Sequence, residues 1–224
     1  MKIVLGSAFR NSAGRQIDRY FSQARTLRNA LEHQGHSLFV VASEGDSSDN
    51  TPHVLDVELT TIPGKRVTYN HGGPWFGSTE APERFKALQG VGNSILEAVP
   101  DDAGILIYVE SDLIWSNTTL LALLDRVLVD GLDVVSPLVF AGEAFYDIFA
   151  FRKSGSRFGP FPPFHPELNG LTEVDSTGSC LVMKADVARK ARVSDHNGLV
   201  GFCDEARSKG FHVWVDPDQR IFHP

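Results

Sequence analysis

The chain has 224 residues, 42% of them hydrophobic and 22% charged, which excludes a disordered or fibrous protein and suits one compact α/β domain with a sizeable core. A formal net charge of -7 argues against a surface built mainly to hold a nucleic-acid backbone or an anionic membrane, because phosphate contacts need clustered Lys and Arg. Two cysteines, Cys180 and Cys203, make neither a disulfide framework nor a Cys-rich metal site, so they are expected to be reduced, buried and structural. No apolar run is long enough to serve as a signal peptide or to cross a bilayer, and a soluble cytoplasmic chain is the expectation.

Ile3 to Leu5 is a short apolar run ending at Gly6, and Ile17, Tyr20, Phe21, Ala24, Leu27 and Leu31 follow at helical spacing within residues 13–34. Gly35 ends that helix, and Ser37 to Ala42 reads as a second buried strand running into a polar segment, Ser43 to Thr51. The opening is thus a βαβ unit. A shorter strand is expected around Val54 to Val57, followed by a long Gly- and Pro-rich loop from Pro63 to Pro82 that carries Tyr69, His71, Trp75 and Phe76.

Phe85, Leu88, Ile95, Leu96 and Val99 mark the next helix, Ile105 to Val109 a central strand, and Leu120 to Leu128 a helix started by Ser116 or Asn117. Asp133 to Phe140 reads as a strand with Phe145 to Arg152 pairing beside it, before Gly159-Pro160-Phe161-Pro162-Pro163 breaks regular structure. A strand at Ser179 to Met183, a helix at Phe202 to Lys209 closed by Gly210 and a strand at Phe211 to Val215 complete the chain, without an internal repeat. Continuous apolar strands alternating with helices imply a mostly parallel, twisted sheet covered on both faces, which binds ligands beyond the carboxyl ends of its strands.

At that edge stands Glu110-Ser111-Asp112, directly after the most hydrophobic strand. Alternation along a strand would send both carboxylates to one side. A divalent cation held there would bridge a carboxylate to a diphosphate leaving group and stabilise its departure, with Asp112 as the ligand and Glu110 assisting. The competing reading is that the two acids only stop the strand and cap the helix near Ser116.

Three further segments reach the same edge. Ser43-Glu44-Gly45-Asp46-Ser47-Ser48-Asp49-Asn50 is an acidic loop past the second strand, fit to read ribose hydroxyls or a base edge, or simply a turn. Ala8, Phe9 and Arg10 follow the first strand, where Arg10 would pair with phosphate or lie against a base, or be a solvated surface arginine. His223 offers an imidazole, a ligand type that suits manganese-like ions alongside carboxylates, although a lone histidine is more often an exposed side chain. Arg84 is a further candidate for the diphosphate, and His71, Trp75 and Phe76 for a stacking surface or for the loop's own small core.

Taken together, these segments resemble the GT-A glycosyltransferases, and within them the fungal Golgi mannosyltransferase group that extends mannan. The likeness is carried by residues 44–51, by the acid-x-acid triplet at 110–112, by Glu173-Val174-Asp175-Ser176-Thr177-Gly178-Ser179-Cys180 continuing to Val187, and by the ending Gly201-Phe202 through Pro217 and His223. It implies one GT-A domain over residues 1–224, with residues 1–112 as the nucleotide-binding half and 113–224 as the acceptor-side half. It also implies that Ala8, Arg10, Glu44 and Asp46, with Ser111, line the nucleotide pocket. Glu110, Asp112 and His223 would hold manganese or magnesium and the diphosphate, and Asp175 would lie near acceptor or sugar.

Two positions depart from the pattern. Gly198-Leu199-Val200-Gly201 stands where many inverting relatives carry a Glu-Asp pair, and Gly92-Asn93 where an Arg-Asn pair is common. An inverting transfer needs a carboxylate within reach of the acceptor hydroxyl, whereas the fungal group retains configuration, so a retaining transfer is favoured. Asp175, then Asp204, are the alternatives if a base exists.

The expected function is therefore metal-dependent transfer of a sugar from a GDP- or UDP-linked donor to an acceptor hydroxyl, the long loop closing over the donor. The acceptor is open between a glycan, a metabolite, a protein side chain and a hydroxylated DNA base, the last needing a basic face such as Arg152, Lys153 and Arg157. A nucleotidyltransferase is the first alternative, though residues 6–14 supply a poor phosphate loop. A non-catalytic nucleotide-sugar binding module is the second.

Overall fold

The computed structural model describes residues 1–77 and 79–224, apart from the side chain of Arg15. In chain order the elements are β1 (Lys2–Phe9), α1 (Arg15–His33), β2 (Ser37–Glu44), α2 (Thr51–Glu58), β3 (Gly64–Thr68), α3 (Pro82–Glu97), β4 (Ala103–Val109), α4 (Asn117–Leu128), β5 (Val134–Ala141), β6 (Ala144–Phe145), β7 (Arg152–Lys153), β8 (Ser156–Arg157), β9 (Thr172–Glu173), β10 (Cys180–Lys184), α5 (Ala185–Lys190), α6 (Leu199–Ser208) and β11 (Val213–Phe222).

Among the described residues the main sheet runs β3-β2-β1-β4-β10-β5-β11-β9, with β6 hairpinned onto β5. β3, β2, β1 and β4 are mutually parallel, as are β5 and β11, while β10 is inserted antiparallel between β4 and β5. The central strands β1, β2, β4 and β10 are mostly apolar because both faces of the sheet are covered there. Ile3, Leu5, Ile105 and Ile107 pack on the α1 and α4 side, and Val4, Leu106 and Tyr108 on the α3, α5 and α6 side. The helical stripe read from the sequence is the buried face of α1: Ile17, Tyr20, Phe21, Ala24, Leu27 and Leu31 are all fully buried. Each of the larger of these side chains contributes about 1.5–3 kcal/mol of transfer free energy. The one polar atom among them, the Tyr20 hydroxyl, accepts from Ser7 Oγ at 2.8 Å. Both cysteines are free and buried.

Several elements differ from expectation for identifiable reasons. The segment around Val54 to Val57 is helical, within α2, because Pro52 pre-sets the first turn, and Thr51, Val54 and Leu55, at helical spacing, face the core. The expected Pro63–Pro82 loop begins instead with β3, an edge strand whose Lys65 and Arg66 hide its strand character. Gly64 is needed there, since a Cβ would stand 2.5 Å from Val40 O. Of the span Phe145 to Arg152, only Phe145 joins the sheet edge, and residues 148–150 form a turn. The short α5 was not anticipated, α6 begins at Leu199, and β11 continues past Asp-Pro to Phe222 by shifting register between Asp216 and Arg220.

That continuation matters. It carries the chain back to the sheet edge, where Phe222 and Ile114 exchange backbone hydrogen bonds of 2.7 and 2.9 Å and His223 N donates to Phe140 O at 2.7 Å.

Candidate active site

A cavity of about 850 Å³ lies at the carboxyl ends of β1, β2 and β4, lined by Ala8, Arg10, Gly45, Tyr69, His71, Trp75, Arg84, Leu88, Tyr108, Glu110, Ser111, Asp112, Tyr146 and His223 among others. Its size is at the upper end for small-molecule sites. β4 stops at Val109, so strand alternation does not orient the acid triplet; Ser111 and Asp112 sit in a turn closed by Leu113 N donating to Glu110 O at 3.2 Å. Both carboxylates nonetheless line the cavity. The capping alternative fails, because Ser116 Oγ itself accepts from Thr119 N and starts α4.

The turn is lashed down by α1. Gln16 Nε2 donates to Ser111 Oγ (2.9 Å), Arg19 Nη2 to Asp112 O (2.5 Å) and Gln23 Nε2 to Trp115 O (2.5 Å), positions that share one helix edge. Ser111 Oγ donates in turn to Ala8 O at 2.6 Å, welding the ends of β1 and β4 together. Ser111 therefore enters the cavity wall with its hydroxyl already committed.

Asp112 Oδ2 stands 3.3 Å from His223 Nε2, while Asp112 Oδ1 is buried without a hydrogen-bond partner. A buried carboxylate oxygen left unpaired is costly in isolation and is free to accept a bond from an ion or a polar group entering the cavity. One carboxylate and one imidazole at this spacing fit neighbouring positions on a divalent cation of the manganese or magnesium type. Among the described residues no group of three or more His, Cys, Asp or Glu forms a fuller metal site. The His223 ring stacks on Tyr146, centroids 4.3 Å apart at 22°. Burial, reinforced by the negative charges of Asp112 and Asp147, pushes the Glu110 carboxyl up to about 8, against the opposing effects of Arg84 and a hydrogen bond from Ser179. Burial likewise raises Asp147.

The other sequence-derived candidates are distributed unevenly. Arg84 lines the cavity, donating to Thr79 O at 3.2 Å. Arg10 lines it too, but its guanidinium meets His71 Nε2 (2.8 Å), Gly73 O (2.9 Å) and Pro74 O (3.0 Å), and so holds the loop 71–74. Asp46 grips the same loop, accepting from His71 N at 2.8 Å and Gly72 N at 3.3 Å. Glu44 is buried and faces Arg66 at 3.7 Å rather than the cavity. Gly45 beside it is obligatory, because a Cβ would fall 1.7 Å from Tyr69 O. Asp175 accepts from Gly155 N at 2.7 Å and lies 3.5 Å from Arg207, and Asp204 is exposed on α6; neither lines the cavity. Of the basic face, Arg152 and Arg157 both lie over the Phe149 ring, and Arg157 is paired with Glu80.

The double grip on residues 71–74 makes a prediction. Asp46→Ala should raise amide hydrogen exchange at His71 and Gly72 by about tenfold or more while leaving β1 and β4 unchanged. Equal protection in both proteins would show that Asp46 does not restrain the loop.

Sequence reasoning missed Tyr146, Asp147, Gln16 and Arg19. Tyr146 and Asp147 follow the β5–β6 hairpin at the ligand edge of the sheet, a position signal that was available; the two α1 residues read as an ordinary solvated helix face.

No protein-family model matches the chain, and no curated protein matches it in sequence. The fold is GT-A-like, an α/β domain with a large, mostly parallel sheet flanked by helices. The chain is similar to S. aureus TarS residues 1–349 in complex with UDP-GlcNAc, with a TM-score of 0.61 and 13% identity over 99% of this chain and 58% of that one. It is also similar to longer S. aureus TarS (TM-score 0.62, 13% identity, 99% of this chain and 36% of that one) and to TarS 1–349 in complex with UDP (TM-score 0.61, 13% identity, 99% and 60%). The chain thus spans about three fifths or less of each of these proteins. No helix among the described residues is long and apolar enough to cross a membrane.

Proposed function

We propose that the protein is a glycosyltransferase that moves a sugar from a nucleoside-diphosphate donor to an acceptor hydroxyl with the help of a divalent cation. The observation that carries this reading is the meeting of Asp112 and His223, 3.3 Å apart, in a cavity at the strand ends, with Asp112 Oδ1 buried and unpartnered. Asp112 and His223 would hold manganese or magnesium, Glu110 standing beside them. Such an ion supplies Lewis-acid stabilisation of the leaving diphosphate. Arg84 adds a positive charge on the same wall, and the backbone at Ala8 together with Tyr69 and Tyr108 gives surfaces for the nucleoside. A uridine donor is favoured over guanosine by the UDP-GlcNAc and UDP carried by the similar structures.

Retention of configuration is the stereochemical course we favour. Glu110 and Asp112 are the carboxylates lining the cavity among the described residues, and Asp175 and Asp204 lie outside it, so no separate acceptor base is at hand. Trp75, 73% exposed at the cavity rim, offers a face on which a sugar ring could stack. Residues 1–112 would supply most of the nucleotide site and residues 113–224 the acceptor side, with His223 crossing back to the donor. A nucleotidyltransferase is disfavoured by the poor phosphate loop of residues 6–14.

A panel of UDP- and GDP-linked sugars, incubated with and without manganese, tests the reading. The expected result is manganese-dependent release of one nucleoside diphosphate, and proton NMR of the transferred sugar should show the donor's anomeric configuration. Nucleotide binding without turnover of any donor would instead favour a binding module.

A further inference from the structure

Asp147 has no part in the chemistry above, yet both of its carboxylate oxygens are hydrogen-bonded. Its Oδ2 accepts from Ser179 Oγ at 2.7 Å, and its Oδ1 accepts from Ala150 N at 3.3 Å. The partner corner is shaped around it. Gly178 has no room for a side chain, since a Cβ would meet Asp147 Oδ2 and Ala150 Cβ at 2.6 Å each, and Ser179 is held at φ 59, a conformation that is rare outside glycine. Ser176 Oγ closes the same corner by donating to Ala150 O at 2.6 Å.

Both sides of the proposed donor site hang from this joint. On one side Ser179 O accepts from Glu110 N at 2.9 Å, fixing the start of the acid triplet. On the other, Tyr146 immediately precedes Asp147 and stacks on His223. Strained backbone persists only where its surroundings over-determine it, and here the surroundings are the Asp147 carboxylate.

We infer that Asp147 is a positioning residue, clamping the Gly178–Ser179 corner to the 146–150 turn and so holding the acid triplet and the Tyr146–His223 stack in register. Its consequence for transfer rests on the donor-site reading given above; its consequence for geometry does not. Asparagine keeps one acceptor oxygen for Ala150 N and can donate its amide N–H to Ser179 Oγ, which as a hydroxyl can turn to accept, so it should substitute where alanine cannot.

The test compares Asp147→Ala, Asp147→Asn and Ser179→Ala with the wild-type full chain. NMR of the His223 ring in metal-free protein should show the ring-current shift from Tyr146 lost in Asp147→Ala and kept in Asp147→Asn. With the donor identified from the panel, Asp147→Ala should lower kcat about tenfold and raise the manganese requirement for UDP binding about tenfold, with donor KM at saturating manganese within about twofold. Asp147→Asn should recover kcat to within about threefold of wild type. Ser179→Ala, which removes only the bridging hydroxyl, should fall between them and serves if Asp147→Ala does not fold. An unchanged His223 shift and unchanged kcat in Asp147→Ala or Ser179→Ala would overturn the clamp, as would asparagine behaving like alanine. Should wild-type protein turn over no donor while the His223 shift still depends on Asp147, the clamp stands and the transferase reading fails.

Discussion

Replacing Asp112 with alanine is expected to cut donor turnover by about 10²-fold or more while leaving the melting temperature of the free protein unchanged or slightly raised. The two halves of this expectation come from the same atoms. In the free protein the Asp112 carboxylate stands near the Glu110 carboxyl, and its Oδ1 is buried with nothing to bond to. Its nearest compensation is His223 at 3.3 Å. Removing such a group discards an unmet desolvation cost, whereas in the working site the same oxygens would hold the ion that neutralises the diphosphate. Thermal melts and the donor assay measured side by side decide the matter. A melting temperature lowered by many degrees would mean that Asp112 is structural, and full turnover would remove it from the site.

The second large effect concerns pH. Glu110 has an ordinary carboxyl value of 4.5 and is pushed up to about 8 by burial and by Asp112 and Asp147. Between those values the native protein holds a proton that the unfolded chain has released, so stability falls as pH rises across this window. The penalty is absent below about pH 4.5, where both states are protonated, and complete above about pH 8. Glu110→Gln removes the titration. Its melting temperature should match wild type near pH 4.5 and exceed it on the order of 5 °C above pH 8. Parallel melting curves across the range would show that Glu110 ionises freely in the native state.

Much of the fold was legible because its signals are local. The α1 stripe, the Ser116 cap and the apolar runs of β1, β2 and β4 each express burial directly in residue type. What escaped is what depends on neighbours. β3 is charged because it lies at a sheet edge, and β11 looks finished at Val215 because the residues that resume its pairing with β5 are set by register rather than by composition. At the site, the acid triplet and His223 were readable as chemical types in the right positions. The commitments of Arg10 and Asp46 to the loop 71–74, and of Ser111 to Ala8, were not, because nothing in a sequence says which donor a side chain will find first. Asp175 was singled out by its motif, yet it sits against Gly155 and Arg207, while Asp147, in no motif, holds the corner beside Glu110.

The pairing of Phe222 with Ile114 has a kinetic corollary. Contacts between segments so far apart in sequence carry a large loop-closure cost and tend to form late. The cavity walls at β1, β2 and β4 can be in place while His223 is still absent, so a partly folded chain would present the cavity without the Asp112–His223 pair. Recovery of activity during refolding should then follow the slowest structural phase, the docking of β11 against β5, rather than the earlier burial of the α1 core.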